Sequence, residues 1–93
     1  MKKITFFYLE SCPYCNNARK AMDELKEENP EYSKIDMDWI EEEQQADLAK
    51  VYNYYYVPTM FIGANKLYEA KPEETYDDIK AAVKRVFDAA LED

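Results

Sequence analysis

The sequence predicts an α/β domain whose elements run strand, helix, strand, helix, strand, strand, helix. Three observations carry that expectation. An aromatic-rich apolar run near the start, residues 3–9, reads as a strand buried on both faces. A β-branched and aromatic run, Val57-Pro58-Thr59-Met60-Phe61-Ile62, is followed at once by turn residues and a short return. From about Glu74 to Leu91, the residues Ile79, Ala82, Val83, Val86, Phe87, Ala90 and Leu91 fall on one face of a helix.

The 93 residues suffice for one domain, 1–93, and not for two. With 47% of residues apolar, nine Tyr and four Phe among them, that domain can bury a core without a disulfide framework.

In chain order, the first run contains Ile4 and Thr5 and should be central to the sheet. Pro13 fits the first turn of a helix, where its missing N–H would have no partner anyway. Ala18, Ala21, Met22 and Leu25 then share one helical face, and Asn29-Pro30 ends the helix. The pattern from Tyr32 to Asp38 predicts a short second strand with Ile35 and Met37 on one face.

Residues 40–53 predict a second helix with Leu48, Val51 and Tyr52 as its apolar stripe. Glu41, Glu42 and Glu43 read as solvated acids in its first turn, where the helix dipole favours them. In the third strand Pro58 should stand outside the ladder. Gly63-Ala64-Asn65 supplies a turn with positive φ at Gly63 or Asn65, and Lys66 to Ala70 returns as the fourth strand. Thr75 is the candidate N-cap of the last helix, with Asp77 and Asp78 complementing its dipole.

The formal charge of -8, from 12 basic and 20 acidic residues, repels phosphate backbones and anionic lipid, so neither nucleic acid nor a membrane is an expected partner. Its chief effect is to keep a small protein soluble. No run approaches the ~20 apolar residues that span a bilayer. Met1-Lys2-Lys3 precedes only a short apolar run ending at Glu10, without a small-residue cleavage site, so the cytoplasm is the expected location; a monomer is also expected.

Only two cysteines are present, Cys12 and Cys15. A loop that short staples nothing, because the entropy removed from the unfolded chain grows with loop length. A reducing compartment makes a Cys-x-x-Cys pair catalytic or metal-binding. Structural zinc takes four protein ligands. With no His and no third Cys, a metal would have to be shared between chains, so redox chemistry is favoured.

Disulfide exchange needs one thiolate that attacks and a second thiol that resolves the mixed disulfide. Cys12 at a helix N-cap would meet unpaired N–H groups and the positive end of the dipole, which lower a thiol from its free value of about 8.5. Cys15, one turn on and more buried, would stay protonated until it attacks. Arg19 and Lys20 read as solvated helix charges. Tyr14 lies between the cysteines near the surface, where its ring can pack on a substrate peptide.

Cys12-Pro13-Tyr14-Cys15 after a strand resembles the glutaredoxin active site. Val57-Pro58-Thr59 before a strand resembles the cis-proline loop of thioredoxins and glutaredoxins, and Leu48-Ala49-Lys50-Val51-Tyr52 is similar to the thioredoxin approach to that loop. The resemblance covers nearly the whole chain. It implies a thioredoxin fold, a four-stranded mixed sheet with three helices in the order βαβαββα; no metal and no bound cofactor are expected. It also implies a cis Val57–Pro58 bond against the dithiol, leaving the Val57 backbone free to pair with a substrate peptide or glutathione. Cys12 and Cys15 would then be the catalytic residues, nucleophile and resolving thiol, and Pro13, Tyr14, Val57, Pro58 and Thr59 the substrate-binding ones. Protein or small-molecule disulfides would be the substrates.

The chain departs from both families. Leu9, followed by Glu10, stands where glutaredoxins commonly carry Lys, and Tyr68-Glu69 with about half a dozen further residues replaces their Gly-Gly pair before the acidic residue. The Trp-Cys-Gly-Pro-Cys sequence of thioredoxins is absent, and Phe6 replaces their buried Asp. The motif therefore specifies the reaction more firmly than the electron donor, which is either glutathione, weakened as a candidate by these departures, or a thioredoxin reductase. Two other classes stay open: a dimeric glutaredoxin-like module holding a metal or an iron–sulfur cluster, and a redox-inactive thioredoxin-fold binding protein.

Overall fold

A computed structural model describes residues 1–92. Strand β1 (Ile4–Tyr8) lies between its neighbours in a four-stranded sheet of order β2-β1-β3-β4, formed with β2 (Met37–Glu41), β3 (Thr59–Ile62) and β4 (Asn65–Glu69). β1 runs parallel to β2 and antiparallel to β3, and β3 is antiparallel to β4. This mixed sheet with three helices, α1 (Pro13–Glu28), α2 (Ala46–Val51) and α3 (Tyr76–Leu91), is the thioredoxin fold.

The period-two alternation of β1 divides the core. Ile4 and Phe6 face α1 and α3, where Ala18, Met22, Leu25, Ile79, Val83 and Phe87 close over them. Phe7 faces the other way, packing with Ile40 and Phe61 beneath Ala49, Tyr52 and Tyr54. Both faces of β1 are therefore covered, which explains why it reads as an unbroken apolar run.

Each end of the long helices has a local cause. Cys12 is the N-cap of α1 with Pro13 in its first turn, and Asn29 closes the helix in an extended conformation ahead of Pro30. α3 opens on a capping box in which the Thr75 side chain accepts the Asp78 N–H and the Asp78 carboxylate accepts the Thr75 N–H. Asp78 thus does more than complement the dipole. Gly63 takes φ 59 in the β3–β4 turn, a conformation only glycine adopts freely. Beyond the turn, one residue of β4, Leu67, is bulged out between the Met60–Tyr68 and Phe61–Lys66 pairs.

The middle of the chain departs from the expectation in two places. The second strand is Met37–Glu41 and not Tyr32–Asp38, because Asn29 accepts the Glu31 N–H and starts a 3-10 turn over Pro30–Lys34. Tyr32 is buried there, donating its hydroxyl to Asp88 on α3. The second helix is only Ala46–Val51, since Ile40 and Glu41 belong to β2. Its apolar stripe differs as well: Leu48 and Val51 are exposed, and Ala49 and Tyr52 face the sheet.

Candidate active site

The strand-to-helix junction of β1 and α1 sets the two cysteines at different depths. The Cys12 N–H bonds the Leu9 carbonyl (3.2 Å), which tightens the chain before the helix, and Asn16 N–H bonds back to Cys12 (3.0 Å). Cys12 is half-buried at the N-cap, and no side-chain bond caps the helix there. Its thiol donates to the Val57 carbonyl at 3.8 Å. Cys15, one turn on, is fully buried and accepts the Leu9 N–H at 3.4 Å. Burial, outweighing that bond, pushes the Cys15 thiol up to about 12, with Cys12 raising it further and Arg19 lowering it.

The segment before β3 meets the dithiol. The Val57–Pro58 peptide bond is cis, with Pro58 fully buried and Val57 half-buried. The Pro58 carbonyl accepts the Ala70 N–H (3.0 Å), tying the segment to the end of β4. Thr59 is fully buried and its hydroxyl donates to the Tyr56 carbonyl, so it shapes this turn from within and presents no free hydroxyl.

Between α1 and this turn lies a groove of about 420 Å³ lined by Tyr14, Tyr56, Val57, Ala70, Lys71, Pro72 and Glu73. Its far wall is the stretch that follows β4. The Tyr14 hydroxyl accepts the Glu73 N–H at 2.8 Å, and Glu73 has φ 67, the left-handed region unusual for a side chain of its kind. Of the expected site residues, Tyr14 and Val57 therefore line this groove, and the Cys12 thiol is joined to it through the Val57 carbonyl. Pro13 is exposed at the helix start, and Pro58 and Thr59 support the turn from below.

Two carboxylates that no sequence motif assigns to the site hold its loops. Glu41, expected as a solvated helical acid, is buried at the end of β2 and accepts the backbone N–H groups of Glu10 (3.3 Å), Glu43 (2.6 Å) and Gln44 (3.2 Å). Desolvation acts to raise its carboxyl, and those three donors outweigh it, holding the group below the usual range. Glu69 does the same for the approach to Pro58, accepting N–H from Tyr55 and Tyr56 (2.8 Å) and pairing with Lys66 (2.7 Å).

No local pattern marks the Glu10 bond of Glu41 or the Tyr55 and Tyr56 bonds of Glu69, because those partners lie in other loops, whereas Glu43 and Gln44 follow Glu41 directly. Arg19 is likewise not simply solvated: its guanidinium stacks over Tyr8, 5.3 Å from the ring centroid, and bonds Asn16. Among the described residues, no group of three or more His, Cys, Asp or Glu is placed to hold a metal ion, and no helix is long and apolar enough to cross a membrane.

Comparison with known proteins agrees with this geometry. The glutaredoxin family profile matches residues 4–66, which include the dithiol and the Val57–Pro58 turn. Among solved structures, the chain is similar to a malarial protein at 17% identity and TM-score 0.59, covering 97% of each chain. It is also similar to thioredoxin 1 of Thermosipho africanus at 15% identity and TM-score 0.54, covering 97% of this chain and 99% of that one. For a mutant thioredoxin of Halobacterium salinarum the figures are 20% and 0.59, covering 97% of this chain and 74% of that one. At those identities the likeness is one of fold. No curated protein matches the sequence.

Proposed function

Because this chain belongs to the glutaredoxin family, we propose that it is a dithiol–disulfide oxidoreductase in which Cys12 is the nucleophile and Cys15 the resolving thiol. One observation carries the reading. The half-buried Cys12 sulfur stands at a helix N-terminus against the Val57 carbonyl, and the fully buried Cys15 lies one turn behind it. A helix start favours negative charge developing on the outer sulfur, and a buried second thiol is kept out of reach of solvent until the mixed disulfide forms.

Cys12 attacks the substrate disulfide, one substrate sulfur leaves, and Cys15 displaces the other. The product is the Cys12–Cys15 disulfide, which an external donor must reduce. The groove beside Val57 is the proposed seat of the substrate, with Tyr14 packing on it and the Val57 backbone available to an extended peptide. Such recycling fits the reducing cytoplasm.

Insulin reduction followed by turbidity tests the reading: Cys12→Ser abolishes it, and a Cys12→Ser protein with undiminished activity would overturn it. Running the reaction in parallel with glutathione and its reductase, or with a thioredoxin reductase, and following NADPH consumption identifies the donor.

A further inference from the structure

The groove beside Val57 does not end there. Its walls Tyr56, Ala70, Lys71 and Pro72 are also walls of a second depression, of about 390 Å³, which runs on between Tyr55-Tyr56 and strand β4 as far as Leu67. Resting on the oxidoreductase reading, we propose that this trough is a second subsite that takes an apolar side chain of the substrate, and that the substrate is an extended segment of a disulfide-bearing protein.

Apolar side chains gather along the trough. Tyr55 is 84% exposed, Tyr56 58% and Leu67 40%, and all three line it. Single exposed apolar residues are ordinary, but two rings and an aliphatic side chain collected beside a reactive dithiol mark a contact surface, and Tyr makes such contacts with little loss of side-chain entropy. Leu67 is the residue that the β4 bulge leaves unpaired, and a bulge re-aims a side chain. Lys66 and Glu69 pair with each other at 2.7 Å, so these two charges offset one another and the trough keeps its apolar character.

The trough is also built in advance. Glu69 Oε2 accepts the N–H groups of Tyr55 and, at 2.8 Å, of Tyr56, and the Lys66 ammonium donates to the Asn53 carbonyl at 3.4 Å. Two residues of β4 thus hold the tyrosine turn against the strand. A site whose backbone is fixed before binding loses less entropy when it is filled.

Length selects the occupant. The Pro58 carbonyl meets the Ala70 N–H at 3.0 Å beside the dithiol turn, and Leu67 lies three residues back from Ala70 along β4, roughly 10 Å at the rise of a strand. An extended peptide that seats its cysteine beside Val57 covers that span with about three further residues. A small disulfide seated there stops short of Leu67 and gains nothing from it. β4 is the edge of the sheet, so no further strand stands in the way of the segment.

The test compares two symmetrical peptide disulfides, alike except that Phe or Ser stands three residues from the cysteine on both sides, with hydroxyethyl disulfide as a substrate too short to enter the trough. Oxidation of the reduced protein is followed by acid quench and mass spectrometry. The Phe peptide should react roughly tenfold faster than the Ser peptide, the gain that partial burial of one aromatic side chain supplies. Tyr55→Ser and Leu67→Ser, both at exposed positions, should each remove most of that preference while leaving the rates with the Ser peptide and hydroxyethyl disulfide within a factor of about two. Equal rates for the two peptides, a preference that survives in both variants, or variants that slow all three substrates alike would overturn the subsite and leave the oxidoreductase reading in place. No oxidation of the dithiol by any of the three would overturn both. A chain that sediments as a dimer in the assay and as a monomer after Leu67→Ser would give the trough to a second copy, and would overturn the subsite as well.

Discussion

The Tyr14 hydroxyl accepts the backbone N–H of Glu73 at 2.8 Å, joining a residue between the two cysteines to the stretch that follows β4. The bond spans 59 positions and closes one wall of the groove beside Val57. Tyr14→Phe keeps the ring and removes the acceptor. An exposed hydrogen bond of this kind contributes about 0.5 kcal/mol net, so urea unfolding should shift only slightly. Hydrogen exchange at the Glu73 amide should accelerate, and KM for a peptide disulfide should rise with little change in the rate of Cys12 alkylation. Unchanged exchange at Glu73 would count against the bond.

Glu41 gives a pH signature. Its carboxyl is depressed in the folded chain by the N–H groups of Glu10, Glu43 and Gln44, which prevail over desolvation. A depressed carboxyl contributes stability that is present above its unfolded value and is lost as pH falls through the folded one. Glu24, Glu69 and Asp88 are also depressed and contribute to the same acid limb. Glu41→Gln should therefore lower stability at pH 7 and flatten the loss between about pH 5 and pH 2, measured by urea midpoints across that range. A parallel offset at every pH would show that Glu41 acts by shape alone.

What can be read from the sequence follows from how local its cause is. β1, α1, the β3–β4 hairpin and α3 are written in periodicities of two and 3.6 with caps at their ends, and the dithiol and the Val57–Pro58 pair are short motifs that keep their meaning at a distance. β2 and α2 escape such rules because the side chain of Asn29 diverts the backbone into a 3-10 turn, delaying the strand until Met37. Glu41 resembles a helical acid because two of its donors, Glu43 and Gln44, follow it by two and three residues as at a helix start, while the third, Glu10, sits in another segment; Glu69 is tied to the distant residues 55 and 56. Tyr14–Glu73 belongs with them. A carboxylate or phenol that serves a distant backbone leaves no spacing rule behind.

The capping box of α3 is testable on stability alone. Thr75→Ala leaves the Asp78 N–H without its side-chain acceptor and releases the Asp78 carboxylate from its reciprocal bond. A lost cap costs about 1 kcal/mol, which lowers Tm by roughly 4–8 °C in a domain of this size. Thr75→Ser keeps the oxygen and should restore most of the loss. If Ser and Ala were equally destabilising, the cap would not be the cause.

Cys15 should distinguish itself from Cys12 in two ways. In the reduced protein at pH 7, iodoacetamide should add once, at the half-buried Cys12, and leave the fully buried Cys15 unlabelled until guanidinium opens the fold. Mass spectrometry of the peptides checks this, and comparable labelling of both thiols would contradict the burial. The second signature is alkaline. Because burial raises the folded Cys15 thiol from its free value of about 8.5 to about 12, its stabilising contribution is fully present below the free value and is lost as pH climbs towards 12. Cys15→Ala should therefore lose less stability over that interval than the unaltered protein. Tyr32, Tyr54 and Tyr76, whose phenols are also raised, are common to both proteins and drop out of the difference. Identical alkaline limbs would mean that the fold does not hold Cys15 protonated, and the order of events assigned to the two thiols would fail with it.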